Sequence, residues 1–351
     1  MESEDRMKVR GITVSLVDFF KRLIFAGLNL LTPLQTGLLV VYYSLRELGG
    51  GELWFIDALS YILPWLYLPF IILLPGILFL RRTRLLLILV AIPTTLFLLT
   101  YGRLYLPRTS VYSTGPTFSV MTYNVLWTNK QADRVATAIE QHDPDIVGLH
   151  EILPSMGAAV EERLAERYPY HKLENSYGIL SRFPILNYEF YQLDDGTGSW
   201  VQQMVLEIDG HRVNLLNAHP RSPPLEGFHP FGLPLGIPTG FLNQVRDADV
   251  RDLLTRIDRL EDPLVVIGDF NLTDQQIMYA PLTSRLKDAH RESGWGMGFT
   301  FSRFPSIGLP MWRIDYVFYS ADLVALSATT GDYGGSDHRP VIAELSFREL
   351  P

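Results

Sequence analysis

Carboxylate, amide and imidazole side chains recur at the ends of short β-favouring runs in this chain. Asn124 follows MTY, Glu151 follows VGLH, His219 follows LLNA, and Asp269 with Asn271 follows VVIG. Asp337 and His338 directly precede the final strand-like run, and Asp315 lies within the run RIDYVF. Oxygen donors of this kind suit a hard divalent cation. An imidazole beside a carboxylate suits proton transfer near neutral pH. Taken singly, each has an ordinary explanation, since an Asn after a strand is commonly a turn residue and a lone His is commonly solvated. Their joint placement at strand ends, where open α/β sheets bind ligands, points to a site. The chain has no cysteine, so neither a disulfide framework nor a thiolate metal centre is available.

The elements that must position these residues alternate strand, loop and helix from Thr117 onward. Phe118–Tyr123 and Asp145–Leu149 read as strands, and Gln131–Gln141 reads as a helix capped by Thr128 or Asn129. A second helix is expected near Met156–Tyr168, and an amphipathic one over Phe241–Leu260. Val201–Ile208 and Arg212–Asn217 form an expected hairpin around Asp209-Gly210, a strong turn dipeptide. Leu264–Ile267, Arg313–Phe318 and Pro340–Leu345 are again strand-like. Periodicity alone gives the class α/β.

In sequence order the chain shows TYN (122–124), HE (150–151), YGILSRFPI (177–185), NAHP (217–220), GDFN (268–271), RIDYVF (313–318) and SDHRPV (336–341). With these motifs the segment from about Thr117 to Phe347 resembles the endonuclease/exonuclease/phosphatase (DNase I-like) superfamily. That superfamily includes DNase I-like nucleases, neutral sphingomyelinases and inositol polyphosphate 5-phosphatases. GDFN and SDHRPV are the specific signals; TYN or HE alone is weak. The resemblance implies a four-layer α/β sandwich, two packed mixed β-sheets flanked by helices, with the site at one rim.

It also implies roles. Phosphoester hydrolysis needs charge neutralised on the phosphoryl oxygens, an aligned water and help for the departing alkoxide. Glu151 is the expected primary ligand of Mg²⁺, with Mn²⁺ able to substitute, Asn124 is its amide partner, and Asp337 contributes directly or through water. His338 fits a base or phosphate contact, with Asp315 fixing its tautomer. Asp269 fits the residue that handles the attacking water or the leaving group, and Asn271 a hydrogen-bond donor to the developing phosphorane. His219 resembles the family's second histidine. Two departures are visible: position 150 is His where most members carry Gln, and NAHP replaces the commoner NTH. Neither removes a functional residue, so an active enzyme is expected.

Charge is uneven along the chain. The first 109 residues hold 11 Lys/Arg and 7 Asp/Glu, while the remainder holds 19 and 31, so a positive apolar third precedes an acidic domain. Apolar stretches at about 23–45, 54–80 and 85–101 each approach the roughly 20 residues needed to cross a bilayer. Three transmembrane helices are therefore expected within a membrane region over 1–105, then a linker at 106–116 and a catalytic domain at 117–351. Arg6, Lys8, Arg10, Lys21 and Arg22 before the first stretch, with Arg81, Arg82 and Arg84 before the third, place the N-terminus in the cytoplasm and the catalytic domain outside it. Arg103 and Arg108 weigh the other way.

The expected partners are the lipid bilayer and a phosphate-ester substrate, with no obligate protein partner. A lipid headgroup is the favoured substrate, because the anchor holds the site near a lipid surface. The stretch from Ser222 to Gly240 could also dip into a bilayer or simply pack on the domain. A tethered nuclease acting on DNA or RNA is the alternative, although the acidic domain disfavours grip on long nucleic acid. A non-catalytic scaffold with a retained fold is the third reading.

Overall fold

A computed structural model describes residues 2–49, 53–71, 84–107, 113–228, 237–261 and 263–348. The chain divides into two compact units, residues 1–50 with 62–103, and residues 51–61 with 104–351. The start of the helix Trp54–Leu66, through Tyr61, thus belongs with the second unit.

The first unit is helical, with the long helix Glu2–Gly49 packed against Arg84–Tyr101. Polar side chains join its helices: Thr36 Oγ1 donates to the Leu89 carbonyl at 2.8 Å, and Tyr43 Oη lies 2.7 Å from Thr100 Oγ1 and 2.9 Å from Tyr67 Oη. Such bonds hold helices together where the surroundings are apolar. Among the described residues two helices, Trp54–Ile71 and Leu87–Tyr105, are long and apolar enough to cross a membrane by length and composition. That is two rather than the three expected. The stretch 23–45 lies inside Glu2–Gly49, where Asn29, Thr32, Gln35 and Thr36 interrupt the apolar run. The side chains at 23–25 and 28 fall outside the described residues, as does the 72–80 end of the second expected span.

The second unit is built on two six-stranded mixed sheets. Its strands are β1 (Thr117–Asn124), β2 (Ile146–His150), β3 (Tyr170–Glu174), β4 (Tyr177–Ser181), β5 (Ile185–Gln192), β6 (Trp200–Ile208) and β7 (His211–Ala218). They continue with β8 (Leu225–Phe228), β9 (Ile237–Phe241), β10 (Leu264–Asp269), β11 (Lys287–Asp288), β12 (Asp315–Tyr319), β13 (Leu323–Thr330) and β14 (Val341–Phe347). One sheet runs β13-β14-β1-β2-β4-β3 and the other β11-β12-β10-β7-β6-β5, while β8 and β9 form a separate pair. Each large sheet has one parallel pair at its centre, β1 with β2 and β7 with β10.

These central strands are buried on both faces, which is why they read as continuous apolar runs rather than alternating ones. Val120, Ile146 and Ile179 of one sheet meet Met204, Leu215, Ile267 and Val317 of the other in a core between the sheets. On the outside, the helix Asn243–Ile257 covers the β7/β10 sheet, and Ala132–His142 with Pro154–Leu164 cover the β1/β2 sheet. The two packed sheets flanked by helices match the expected α/β sandwich.

The hairpin at Asp209-Gly210 forms, with both turn residues at positive φ (49° and 82°), as the tight β6–β7 connection requires. The helix after Asn129 starts at Ala132 with Gln131 as its N-cap and no capping side chain. Asn129 instead closes a turn one step earlier, its Oδ1 accepting from the Gln131 N–H at 2.9 Å. Of the stretch from Ser222 to Gly240, residues 229–236 lie outside the described residues; its two ends pair as β8 and β9.

Candidate functional site

All four strands of the parallel pairs point their C-terminal ends at one rim. Asn124 ends β1, His150 ends β2 with Glu151 next, Ala218 ends β7 with His219 next, and Asp269 ends β10. The antiparallel neighbours close the ring: Asp315 opens β12 directly opposite Asp269, and Asp337 and His338 lead into β14. Asp315, placed inside a strand-like run by sequence, is thus the first residue of its strand and joins the others at the rim. Backbone geometry sharpens the turn at the β10 end. Gly268 has φ 154°, and a Cβ there would overlap the Ala218 carbonyl, so only glycine lets β10 approach β7 this closely. Glu151 and Asn271 hold positive φ, 57° and 49°, which costs a non-glycine residue free energy and turns their side chains out of strand alternation.

Two groups of contacts follow. In the first, Asn124 Nδ2 donates to Glu151 Oε1 at 2.9 Å and to Asp269 Oδ2 at 3.1 Å, and the Trp127 N–H donates to Glu151 Oε2 at 3.2 Å. In the second, Asp269 Oδ2 lies 3.4 Å from His219 Nε2 and 3.7 Å from His338 Nε2. His338 Nδ1 is 2.9 Å from Asp315 Oδ2, and the Asp315 N–H donates to Thr300 Oγ1. Asn271 donates its backbone N–H to Asp269 Oδ1 at 2.9 Å and its side-chain amide to the Pro220 carbonyl at 3.0 Å. That amide thus serves the loop after His219. Asp337 Oδ1 stands 4.0 Å from His338 Nε2. Every residue singled out in the sequence therefore lies at this rim.

The electrostatics separate the roles. Burial would raise the Asp269 carboxyl, but the charges of His338 and His219 outweigh it and hold it well below the ordinary carboxylate range. Burial would lower both histidines. Asp269 reverses this for His219, which is raised, and Asp315 with Asp269 pushes His338 up to about 10. Burial and the nearby Asp269 charge raise the Asp315 carboxyl, while the same Asp269, 3.7 Å from Nε2, favours the charged form of His338. His150 is different: burial, aided by neighbouring His219, pushes it down to about 3. It is a neutral packing ring, 5.5 Å from His219 and 5.6 Å from Tyr177.

Residues 121–338 match the Endonuclease/Exonuclease/phosphatase family. The chain belongs to this family. Members of the Endonuclease/Exonuclease/phosphatase family are hydrolases of phosphoester bonds, and the chain carries the family's fold. It is similar to an endonuclease/exonuclease/phosphatase of Bacteroides vulgatus, at 19% identity and TM-score 0.53 over 66% of this chain and 100% of that one. It is similar to a humanised Danio rerio TDP2, at 18% identity and TM-score 0.50 over 66% and 99%. A mannosyl-6-phosphatase of Bacteroides thetaiotaomicron VPI-5482 aligns at 17% identity and TM-score 0.50 over 66% and 100%. No curated protein matches the sequence.

Two sets of residues in this Endonuclease/Exonuclease/phosphatase protein could hold a cation. Asp269, Asp315 and His338 bring ligand atoms within 4.8 Å of one another. His338 and Asp315 already satisfy each other through a hydrogen bond at 2.9 Å, an arrangement that suits proton handling better than metal ligation. Glu151 and Asp337 offer two carboxylates, the donors a hard cation prefers, and Asn124 would add its amide oxygen on rotating by half a turn, since its Nδ2 faces Glu151 and its Oδ1 accepts from the Leu126 N–H at 3.0 Å. Asp337 Oδ1 is buried with no hydrogen-bond partner among the described residues. These residues fit the group.

Sequence reasoning passed over Tyr61 and Arg246. Arg246 is fully buried in the helix Asn243–Ile257, and its Nη1 reaches the Asn271 carbonyl at 3.3 Å. The available signal was Asp57, the one carboxylate inside the second apolar stretch, whose counter-charge had to lie elsewhere.

Proposed function

We propose that this protein is a membrane-anchored, Mg²⁺-dependent phosphodiesterase that cleaves the phosphate ester of a lipid headgroup outside the cytoplasm. The observation that carries the hydrolytic reading is Asp269 set between His219 and His338 at 3.4 and 3.7 Å, beside the Asn124–Glu151 pair. Asn124, Glu151 and Asp337 would hold Mg²⁺, which when bound neutralises charge on the phosphoryl oxygens. The ionised Asp269 orients the attacking water by accepting its hydrogen bond. As the water oxygen bonds to phosphorus its proton passes to Asp269, the ester bond to the departing alkoxide breaks, and the imidazolium of His219 or His338 gives the alkoxide its proton; the proton on Asp269 then restores the imidazolium. Asp315 keeps the His338 ring in the tautomer and orientation this needs.

Support for a lipid substrate comes from the two helices apolar enough to span, from the basic N-terminal flank and Arg81–Arg84 segment, and from the acidic domain. One observation favours a second reading, a tethered nuclease. Trp127 is 61% exposed, its backbone N–H donates to Glu151, and its ring is one on which a base could stack. Wild type and His338→Ala, purified full-length in detergent, are compared on mixed-lipid vesicles and duplex DNA, with Mg²⁺ and then with EDTA. Headgroup release that needs Mg²⁺ and His338 is expected. Cleavage of DNA with vesicles untouched would make the protein a nuclease, and inactivity on both would remove the phosphodiesterase reading.

A further inference from the structure

Asp57 is the only carboxylate between Trp54 and Ile71, in a helix otherwise apolar enough for a bilayer. It is 2% exposed and its Oδ2 accepts from Arg246 Nη2 at 3.1 Å and from Gln276 Nε2 at 2.9 Å. Arg246, 0% exposed, also donates from Nε and Nη2 to Asp247 Oδ1 at 2.9 and 2.7 Å. One turn on, Tyr61 Oη donates to the Asn271 carbonyl at 2.5 Å, the same oxygen that Arg246 Nη1 reaches. The ring of Tyr61 meets Trp312 edge-on at 5.2 Å; Trp312 stacks on Phe301 at 4.9 Å, and Phe301 meets His338 at 5.0 Å.

Residues 57–61 thus touch both ends of the catalytic arrangement. Through Asn271 they hold the turn that donates to Asp269, and through Trp312 and Phe301 they back His338. Gln276, tied to Asp57, accepts the Thr273 N–H at 2.6 Å and pins the rest of the loop. Asn271 is left-handed at φ 49°, a conformation Asn tolerates, and the two bonds to its carbonyl fix where that turn sits. Docking alone does not call for a buried ion pair, since apolar residues of similar volume hold surfaces together as well or better. An ion pair bonded to the carbonyl of an active-site residue fixes a position.

We infer that Asp57, Tyr61 and Arg246 are positioning residues of the active site, so that the apolar helix works as part of the enzyme and not only as its anchor. The inference rests on the hydrolytic reading, and its test has one readout independent of activity. Full-length wild type, Tyr61→Phe and Asp57→Ala are compared in detergent by amide hydrogen exchange and by Mg²⁺-dependent hydrolysis of bis(p-nitrophenyl) phosphate. Tyr61→Phe keeps the ring against Trp312 and removes only the hydroxyl. Amides 270–276 should exchange at least about fivefold faster in both variants, with the β6–β7 hairpin unchanged. The kcat should fall about tenfold at constant KM, as expected when reacting groups lose sub-ångström placement. Wild-type exchange at 270–276, or acceleration spread evenly over the domain, overturns the inference. So does an unchanged kcat. A wild type inactive on every phosphodiester removes the hydrolytic reading instead, and the exchange data still decide whether residues 57–61 hold the loop.

Discussion

At the scale of single residues, His338 has the contacts of a group that exchanges protons and Asp315 those of a group that aims it. His338→Ala should lower kcat by about 10²–10⁴-fold, the usual worth of a general acid–base group. Asp315→Asn removes the charge but keeps the shape, and about 10–100-fold is expected, as for the loss of other orienting partners of histidine. Steady-state kinetics on a soluble phosphodiester checks both; a milder effect at His338 than at Asp315 would reverse the assignment. These residues were legible in the sequence because each sits in a short contiguous motif. Arg246 was not. It lies in NQVRDADVRD, a polar stretch where a buried arginine looks like its solvated neighbours, and its counter-charge Asp57 is 189 positions away.

At the scale of elements, the junction of β7 and β10 is the least forgiving part of the fold. Gly268→Ala forces a methyl group into the Ala218 carbonyl, one residue before His219, and should cost about 2–4 kcal/mol of stability. A fall in Tm with loss of soluble protein is the expected result. The β11–β12 region holds a buried ion network, in which Asp274 Oδ2 accepts from Arg291 Nη2 at 2.5 Å and Arg313 Nη2 at 3.0 Å. Burial would raise the Asp274 carboxyl, but the two arginines hold it well below its ordinary value of 3.8. A carboxyl depressed on folding stabilises fully above its unfolded pKa and loses that contribution as pH falls towards the folded value. Asp274→Asn should therefore cost about 3 kcal/mol at neutral pH. Its Tm deficit should close as pH drops below about 4. The central strands could be read from sequence because burial on both faces leaves them uniformly apolar. β3 and β5 escaped, since YHKLE and ILNYEFYQ lie at sheet edges, half exposed, and lack the uniform apolar run of the central strands.

At the scale of the whole molecule, the two apolar helices predict that the full chain stays in the membrane fraction after alkaline carbonate washing. Release into the supernatant would remove the anchor from the proposal. Within the second unit the candidate site belongs to neither sheet alone. The β1/β2 sheet carries Asn124, Glu151, Asp337 and His338, and the β7/β10 sheet carries His219, Asp269, Asn271 and Asp315. Asn217 reaches from β7 across the gap to the Gly178 carbonyl at 3.2 Å. Gly148 leaves no room there even for a methyl group, which would overlap Ile267 and Asn217. The sheets act like the jaws of a caliper, closed to one setting by their own core. A methyl group at Gly148 would push on the Asn217 amide that ties β7 to Gly178, so the setting of the two jaws depends on a polar tie as well as on apolar packing.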